Sequence, residues 1–363
     1  MTRRALTIGV LTLCGAAAHA TEPFPAEAAR IVSLDPRFDA LVAPDASLEI
    51  IARGHRWLEG PAWNAAEGAL YYSDIPANTI YRWSADDGVH VFLTPAGYSG
   101  DAPFRGREPG SNGLAFDVDG RLLICEHGDR RITRLESSGA RTVLAERYRG
   151  RRLNSPNDVI VASNGDLYFT DPPFGLPDTF TDPARELDVQ GIYRRSSDGT
   201  IELLIDDVEA PNGIALSLDE RTLYVTDVGP SHPAWLAFDL TAEGRAVNRR
   251  VLADAAPWMQ VRRGGPDGLE IDTHGNLFAA GPEGIFVFAP DGKLLGLIDT
   301  GVPTANVEWG DDGHTLFIAA ESQILRLRTL TRAPDPGSPI PDPRFDLQPP
   351  VPSLQPGAGG APQ

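Results

Sequence analysis

The chain is 363 residues long and carries 50 acidic against 32 basic side chains, which gives a formal net charge of −18. A protein of this sign repels nucleic acid phosphates and anionic lipid, and it favours cations and neutral ligands. The charge balance therefore argues against a nucleic-acid role. The longest apolar run lies within residues 5–18 and is too short to cross a bilayer, so no membrane span is predicted.

The first predicted element is a secretory signal peptide over residues 1–20. Arg3 and Arg4 form its basic start, residues 5–13 its apolar core, and the Ala-His-Ala of residues 18–20 an A-x-A cleavage site. The mature chain is expected to begin near Thr21 and to be exported, either periplasmic or secreted. The paired arginines leave both the general secretory route and twin-arginine export open.

An N-terminal arm over residues 21–46 leads into a region in which one phrase recurs six times. Its clearest form is "PNGIALSLDERTLYVTD": a small polar residue, an alternating strand, a turn, and a second strand. Two such strands joined by a turn rich in Gly, Asp or Asn are the sequence signature of a β-hairpin. The six copies begin at Glu59, Ser111, Pro156, Pro211, Pro266 and Ala305.

The hairpins are followed by a third strand, such as "GIYRRSSDG", and a fourth, such as "IELLIDD". Four strands that repeat at roughly 40 to 55 residues are typical of propeller blades. The fold predicted for residues 47–331 is therefore all-β, a six-bladed β-propeller with four-stranded blades. The sixth copy lacks a fourth strand. We expect "SLEIIARG" at residues 47–54 to fill that place and to close the ring with an N-terminal strand.

Beyond the ring, residues 332–363 are rich in proline and glycine and poor in apolar side chains. Such a segment buries too little apolar surface to offset the entropy of ordering it, so we predict a disordered tail. The predicted organisation is thus a signal peptide, an arm, one propeller and a tail.

A polar residue opens each inner strand and should lie at the propeller axis, because the innermost strand of every blade begins beside the central channel. Taken singly, each is more simply a turn residue, since Asn-Gly and Asp-Gly are ordinary turn formers. Together they offer carboxylate and amide oxygens with no aligned cysteine or histidine, which suits a hard divalent cation such as Ca²⁺ or Mg²⁺. These residues are Glu59, Asn112, Asn157, Asn212, Asp267 and Asn306.

Five stretches in fixed order resemble the gluconolactonase and senescence-marker-protein (regucalcin) family of calcium-dependent six-bladed propellers: "EGPAW", "RLNSPNDV", "FTDPPFG", "PNGIALS" and "GGPDGLEID". The second and third are more similar to the bacterial gluconolactonase branch. The resemblance implies one divalent cation, Ca²⁺ first with Mg²⁺, Mn²⁺ or Zn²⁺ as alternatives. It places this cation on Glu59, Asn212 and Asp267, with Asn157 at the metal or on the substrate.

The family also implies a sugar-binding side chain near Asn157. In the animal branch an arginine stands two residues before that asparagine, whereas this chain has Ser155 there. We therefore consider Arg152 as the substrate-binding residue in its place. The small-molecule substrate that the resemblance implies is a sugar lactone of the glucono-1,5-lactone type.

Hydrolysis of a lactone requires a polarised carbonyl, a delivered water and a stabilised oxyanion, and a divalent cation can act as the Lewis acid for the first and third. Asp267 is the candidate general base and acid, although a role as ligand only stays open. Two other functions also stay open: a metal-dependent aryl esterase or organophosphate hydrolase, and a non-catalytic ligand-binding propeller. A Ser-His-Asp hydrolase is disfavoured because no G-x-S-x-G elbow is present.

Overall fold

The computed structural model describes residues 22–23 and 30–334. The predicted signal peptide and nearly all of the predicted tail lie outside these residues and stay predictions. Within the described part the chain is all-β, and six sheets follow one another around a ring, which confirms the predicted six-bladed β-propeller. No helix in residues 22–23 and 30–334 is long and apolar enough to span a bilayer. The short helices are Pro36–Ala40, Ile75–Ala77, Thr179–Thr181 and Ala256–Met259.

The first half of the ring builds each blade from the axis outwards. In blades 1 to 3, strands that follow one another along the chain are neighbours in the sheet, so each blade is an antiparallel meander. The strands up to this point are β1 (Glu22–Pro23), β2 (Arg30–Ser33) and β3 (Leu48–Arg53); β4 (Leu58–Asn64), β5 (Ala69–Asp74), β6 (Thr79–Ser84) and β7 (Gly88–Leu93) in blade 1; β8 (Ser111–Phe116), β9 (Leu122–Glu126), β10 (Arg131–Leu135) and β11 (Arg141–Ala145) in blade 2; the hairpin β12 (Arg147–Tyr148) and β13 (Arg151–Arg152); and β14 (Val159–Val161), β15 (Leu167–Asp171), β16 (Gly191–Arg195) and β17 (Ile201–Ile205) in blade 3.

The second half of the ring recruits the N-terminal strands. Blade 4 is complete in itself, blade 5 gains β2 as an outer strand, and blade 6 gains β3 and β1. The remaining strands are β18 (Pro211–Leu216), β19 (Thr222–Asp227), β20 (Ala234–Leu240) and β21 (Ala246–Asp254) in blade 4; β22 (Leu269–Ile271), β23 (Leu277–Gly281), β24 (Gly284–Phe288) and β25 (Leu294–Asp299) in blade 5; and β26 (Thr304–Gly310), β27 (Thr315–Ala320) and β28 (Gln323–Arg328) in blade 6.

The hairpin between β14 and β15 shows why the repeated phrase folds as it does. Val159 pairs with Phe169, and both side chains are buried, as the alternating pattern requires. The turn between them contains Gly165, whose φ of 83° is the left-handed conformation that glycine adopts without cost. A Cβ atom at this position would meet nothing within 4 Å. Glycine is therefore needed here for its backbone angle and not for space.

The ring closes where the sequence predicted. β3 pairs antiparallel with β28, with Ile50 opposite Leu325 and Leu48 opposite Leu327. The first strand of the ring thus completes the last blade, and the residues predicted to do so, 47–54, enclose β3. This closure leaves β28 without a free edge.

Part of the predicted arm is an additional strand that the sequence analysis did not identify. β2 pairs with β25 on the outside of blade 5. The helical turn that follows buries Phe38 completely against Gly296, where a Cβ atom would lie 2.5 Å from the aromatic ring. "RIVS" carries no turn signal and is shorter than the repeat, which is why its pairing was not predicted.

Candidate active site

All six inner strands begin at the same end of the channel, and we call this end the loop face. The connections that emerge there include three long segments between strands, residues 94–110, 172–190 and 255–268. The first is fixed at its start by Asn78, whose Oδ1 accepts hydrogen bonds from the amides of Ala96, Gly97 and Tyr98 at 3.0, 2.7 and 3.2 Å. The segment 94–110 therefore forms a fixed rim at the loop face, over the start of the inner strands.

Glycine follows four of the six axial polar residues, Glu59, Asn112, Asn212 and Asp267, and it has a packing reason. The amide of Gly113 donates to the carbonyl of Asn157 on the next blade at 2.7 Å, and a Cβ atom on Gly113 would lie 2.6 Å from the same oxygen. Comparable crowding occurs where Gly213 meets the backbone of Asp267. The inner strands thus approach each other closely at this end, which brings the polar side chains beside the axis.

Glu59 and Asp267 form the acidic part of this centre. Burial, followed by the charge of Asp158, raises the pKa of Glu59 to about 8. Burial also raises the pKa of Asp267 well above its usual value, and the Glu59 carboxylate is the next cause. The two carboxylates are therefore close enough to repel each other. Asn306 bridges back to the first blade, since its Nδ2 donates to Glu59 Oε2 at 3.4 Å.

Three amide side chains beside these carboxylates have no protein partner. Asn112, Asn157 and Asn212 are at most 7% exposed. Their backbone groups are used, for example Asn212 O, which accepts from the Thr170 hydroxyl at 2.7 Å. Among the residues that the structure describes, no protein group bonds to any of the three side-chain amides. None of these amide atoms is among the polar atoms shut off from both solvent and partners, so the three side chains are open to a ligand that lies in the channel.

Asp158 is an acidic residue of the channel that the sequence analysis missed. Its oxygens accept from the amides of Val159 at 2.9 Å and Ile214 at 3.2 Å, and burial raises its pKa to about 7. A signal was present, because "PND" has Asp where the related phrases "SNG", "PNG" and "PDG" have Gly. Asp158 lines a 430 Å³ cavity in the inner part of the channel together with Glu270 and Glu308.

The donor set at the loop face fits a hard cation. Two carboxylates and neighbouring amide oxygens, without a thiolate or imidazole, are the ligands that Ca²⁺ prefers. A cation would also relieve the repulsion between Glu59 and Asp267. Within residues 22–23 and 30–334, no group of three or more His, Cys, Asp or Glu side chains could hold a metal by itself, so amide oxygens would have to complete any site.

Arg152 is held by other contacts. It lies in β13, on the hairpin between blades 2 and 3, and its guanidinium donates to the carbonyl of Asp129 at 2.8 Å while its amide donates to Glu186 at 2.7 Å. The structure thus brings Glu59, Asn157, Asn212 and Asp267 to one axis but shows no contact between Arg152 and these four. Its substrate-binding role stays a prediction.

A buried polar cluster supports blade 3 beside the centre. Asp171, at the end of β15, accepts from the amide of Asn154 at 2.8 Å, while its second oxygen has no hydrogen-bond partner in the described residues. Burial raises the pKa of Asp171 to about 7, although hydrogen bonds and the charges of Arg130 and Arg185 oppose the rise. The folded protein therefore binds a proton here more tightly than the unfolded chain does.

We expect Asp171→Asn to flatten the pH dependence of stability. A folded pKa near 7 against an unfolded value of about 3.9 means that stability falls as pH rises from about 4 to about 7, by up to roughly 4 kcal/mol from this group. Urea unfolding of both proteins at pH 5 to 8 should show a smaller loss in the variant. Asp119→Asn, in an exposed turn, is the control. Parallel pH profiles for wild type and Asp171→Asn would contradict the assignment.

Comparison with known proteins shows which family this chain matches. Residues 57–322 match the family model described as SMP-30/Gluconolactonase/LRE-like region. The chain is 39% identical over 308 residues to a gluconolactonase of Zymomonas mobilis, a match that covers 83% of this chain and 86% of that protein. It is 29% identical over 269 residues to the pentonolactonase XacC of Haloferax volcanii, covering 72% and 80% of the two chains.

The fold is also similar to a solved structure. A gluconolactonase of Xanthomonas campestris superimposes with a TM-score of 0.74 at 34% sequence identity, and the match covers 86% of this chain and 98% of that one. The residues matched by the family model, 57–322, include the axial residues described above.

Proposed function

Because the chain belongs to the SMP-30/Gluconolactonase/LRE-like family, we propose that it hydrolyses a sugar lactone of the glucono-1,5-lactone type to the aldonic acid. The protein is a lactonase, an enzyme that opens a cyclic ester. The observation that carries the proposal is the arrangement at the loop face, where three buried amides without protein partners stand beside two carboxylates. A propeller that only binds a partner on its surface has no reason to crowd two carboxylates at its axis without a cation.

We assign the divalent cation to Glu59, Asn157, Asn212 and Asp267, with Ca²⁺ favoured by donors that are all oxygen. When bound, the cation supplies a Lewis acid that polarises the lactone carbonyl and stabilises the oxyanion. Glu59 is held for this role by Asn306 and by the amide of Gly60, which donates to Glu59 Oε2 at 3.3 Å.

Asp267 is the residue that moves the proton. Its Oδ1 accepts from the amide of Gly268 at 3.0 Å, and among the described residues Oδ2 has no such partner. The residue is partly exposed. Asp267 would accept a proton from the water that attacks the carbonyl, and would return a proton to the ring oxygen as the ring C–O bond breaks.

The proposal is tested by metal removal and add-back. The protein stripped of metal by a chelator should release little acid from glucono-δ-lactone above the spontaneous rate, and Ca²⁺ should restore activity better than Mg²⁺, Mn²⁺ or Zn²⁺. Phenyl acetate and paraoxon, assayed in parallel, report on the esterase and organophosphate alternatives. Full lactonase activity in the stripped protein would overturn the metal assignment, and faster turnover of either alternative substrate would overturn the substrate class.

A further inference from the structure

Asn112 is an axial asparagine to which the proposed function gives no role. Asn157 and Asn212 are assigned to the cation. Asn306 donates a hydrogen bond to Glu59. Asn112 lies at the start of the inner strand of blade 2 and is only 4% exposed, yet no protein group in the described part of the chain bonds to its side-chain amide. A polar side chain that is buried this deeply without a protein partner indicates a place for a ligand.

The main chain around Asn112 is fixed by protein contacts. The Ser73 hydroxyl on blade 1 donates to the carbonyl of Asn112 at 2.8 Å and lies 2.7 Å from the hydroxyl of Ser111. The pairing of β8 with β9 shifts register between Ser111 and Leu114, so the strand is irregular where Asn112 stands. The carbonyl of Asn112 is thus used within the protein, whereas its side chain is left for a ligand.

Asn112 lies between two of the residues assigned to the cation. On one side, a Cβ atom on Gly60, the residue after Glu59, would lie 2.3 Å from the carbonyl oxygen of Asn112. On the other side, the amide of Gly113 donates to the carbonyl of Asn157 at 2.7 Å. These backbone contacts join blade 2 to blades 1 and 3 at the depth of the metal ligands. Asn112 therefore stands in the same layer of the channel as Glu59 and Asn157.

The chemistry of the Asn112 amide fits a hydroxyl group. The small exposed surface of the residue includes this amide, since neither amide atom is among the described polar atoms that lack both a partner and exposed surface. A primary amide donates through Nδ2 and accepts through Oδ1, and a hydroxyl group can use either atom. The cation already has four assigned protein ligands, and its remaining positions are needed for the lactone carbonyl and water. We therefore assign Asn112 to the substrate.

We propose that Asn112 forms a hydrogen bond with the hydroxyl group on the carbon next to the lactone carbonyl. This inference rests on the proposed function. The carbonyl carbon of a sugar lactone has the ring oxygen on one side and this hydroxyl-bearing carbon, C2, on the other. When the carbonyl is held at the centre, the C2 hydroxyl is the hydroxyl nearest to the layer of the metal ligands, where Asn112 stands. Asn112 thereby selects lactones that carry a C2 hydroxyl.

The test uses two lactones that differ only at this hydroxyl. Glucono-δ-lactone carries it, and 2-deoxyglucono-δ-lactone has hydrogen in its place. With Ca²⁺ present, the wild type should prefer glucono-δ-lactone roughly 10-fold in kcat/KM. Asn112→Ala should lower kcat/KM for glucono-δ-lactone by roughly the same factor and change kcat/KM for the 2-deoxy lactone by less than about twofold, because one hydrogen bond is lost. Asn164→Ala, in an exposed turn of blade 3 at the other end of the ring, is the matched control and should change neither value.

A second variant and two further measurements separate substrate binding from other roles. Asn112→Leu keeps the approximate size of the side chain without its polar atoms, and it should show the same selective loss as Asn112→Ala. Affinity for Ca²⁺, measured by calorimetry without substrate, should stay within about twofold of wild type in both variants. The melting temperature should also be kept, because no protein group in the described structure loses a partner when the amide is removed. If one variant does not fold, the other decides the question.

Equal losses on both lactones, or Ca²⁺ binding weakened more than about tenfold in Asn112→Ala, would overturn the inference and make Asn112 part of the metal centre. No loss on either lactone would also overturn it. If the wild type hydrolyses neither lactone, the proposed function fails separately. Binding of 1,5-anhydro-D-glucitol, which carries the same hydroxyl on a six-membered ring without a carbonyl, is then measured by calorimetry. Weaker binding by Asn112→Ala supports the inference, and unchanged binding refutes it.

Discussion

Deletion of β3 is expected to abolish cooperative folding of the propeller. The strand contributes to both interfaces of blade 6, because Leu48 packs with Trp309 in the cluster shared by blades 5 and 6, whereas Ile51 packs with Leu58 and Tyr72 of blade 1. Without β3, these apolar surfaces and the edge of β28 become exposed together. The variant should elute as aggregate in size-exclusion chromatography and show no cooperative thermal transition by circular dichroism.

A point substitution in β3 tests the same prediction without removing the strand from the sheet. Ile51 is 8% exposed, and Ile51→Ala leaves the strand ladder intact while it removes buried carbon, at a cost of roughly 2–5 kcal/mol in the free energy of unfolding. Val91→Ala is the control on β7, where the side chain is 57% exposed, and it should change stability by less than about 0.5 kcal/mol. A soluble β3 deletion that melts cooperatively at the wild-type temperature would contradict this account of ring closure.

The sequence predicts the ring well because the residues that specify each hairpin are close together in the chain. Each hairpin is specified by alternation and by a turn residue such as Gly165, and both are visible within a few residues. The closing strand could be predicted because the last copy lacked a fourth strand, and residues 47–54 stood ahead of the first copy. By contrast, the pairing of β2 with β25 joins residues far apart in sequence through a short edge strand with no periodic signal.

The site was predicted only in part. The hydrogen-bond partners of an axial side chain come from other blades, and the sequence of one repeat does not show which partners these are. Asn112 and Asn306 occupy equivalent places in the repeat. Asn306 is engaged by Glu59 and by the amide of Val307, at 2.8 Å, whereas Asn112 has a free side-chain amide within the described structure.

Asp267→Asn is expected to abolish most activity while it preserves some metal binding. The substitution keeps an oxygen for the cation but removes the group that accepts a proton, and loss of a general base typically costs roughly 100- to 10,000-fold in rate. Glu59→Gln should behave differently, since Glu59 contributes charge and coordination. Its metal affinity should fall further, and excess Ca²⁺ should restore part of its activity.

Calorimetric titration with Ca²⁺ and acid release from glucono-δ-lactone, measured at saturating metal, separate these two effects. Asp119→Asn is the matched control, because its side chain is 66% exposed in a turn of blade 2 at the end of the ring away from the loop face. It should leave both measurements unchanged. Near wild-type turnover of Asp267→Asn at saturating Ca²⁺ would remove Asp267 from proton transfer. Equal rescue of Asp267→Asn and Glu59→Gln by Ca²⁺ would make Asp267 a ligand only, because a missing base cannot be replaced by more cation.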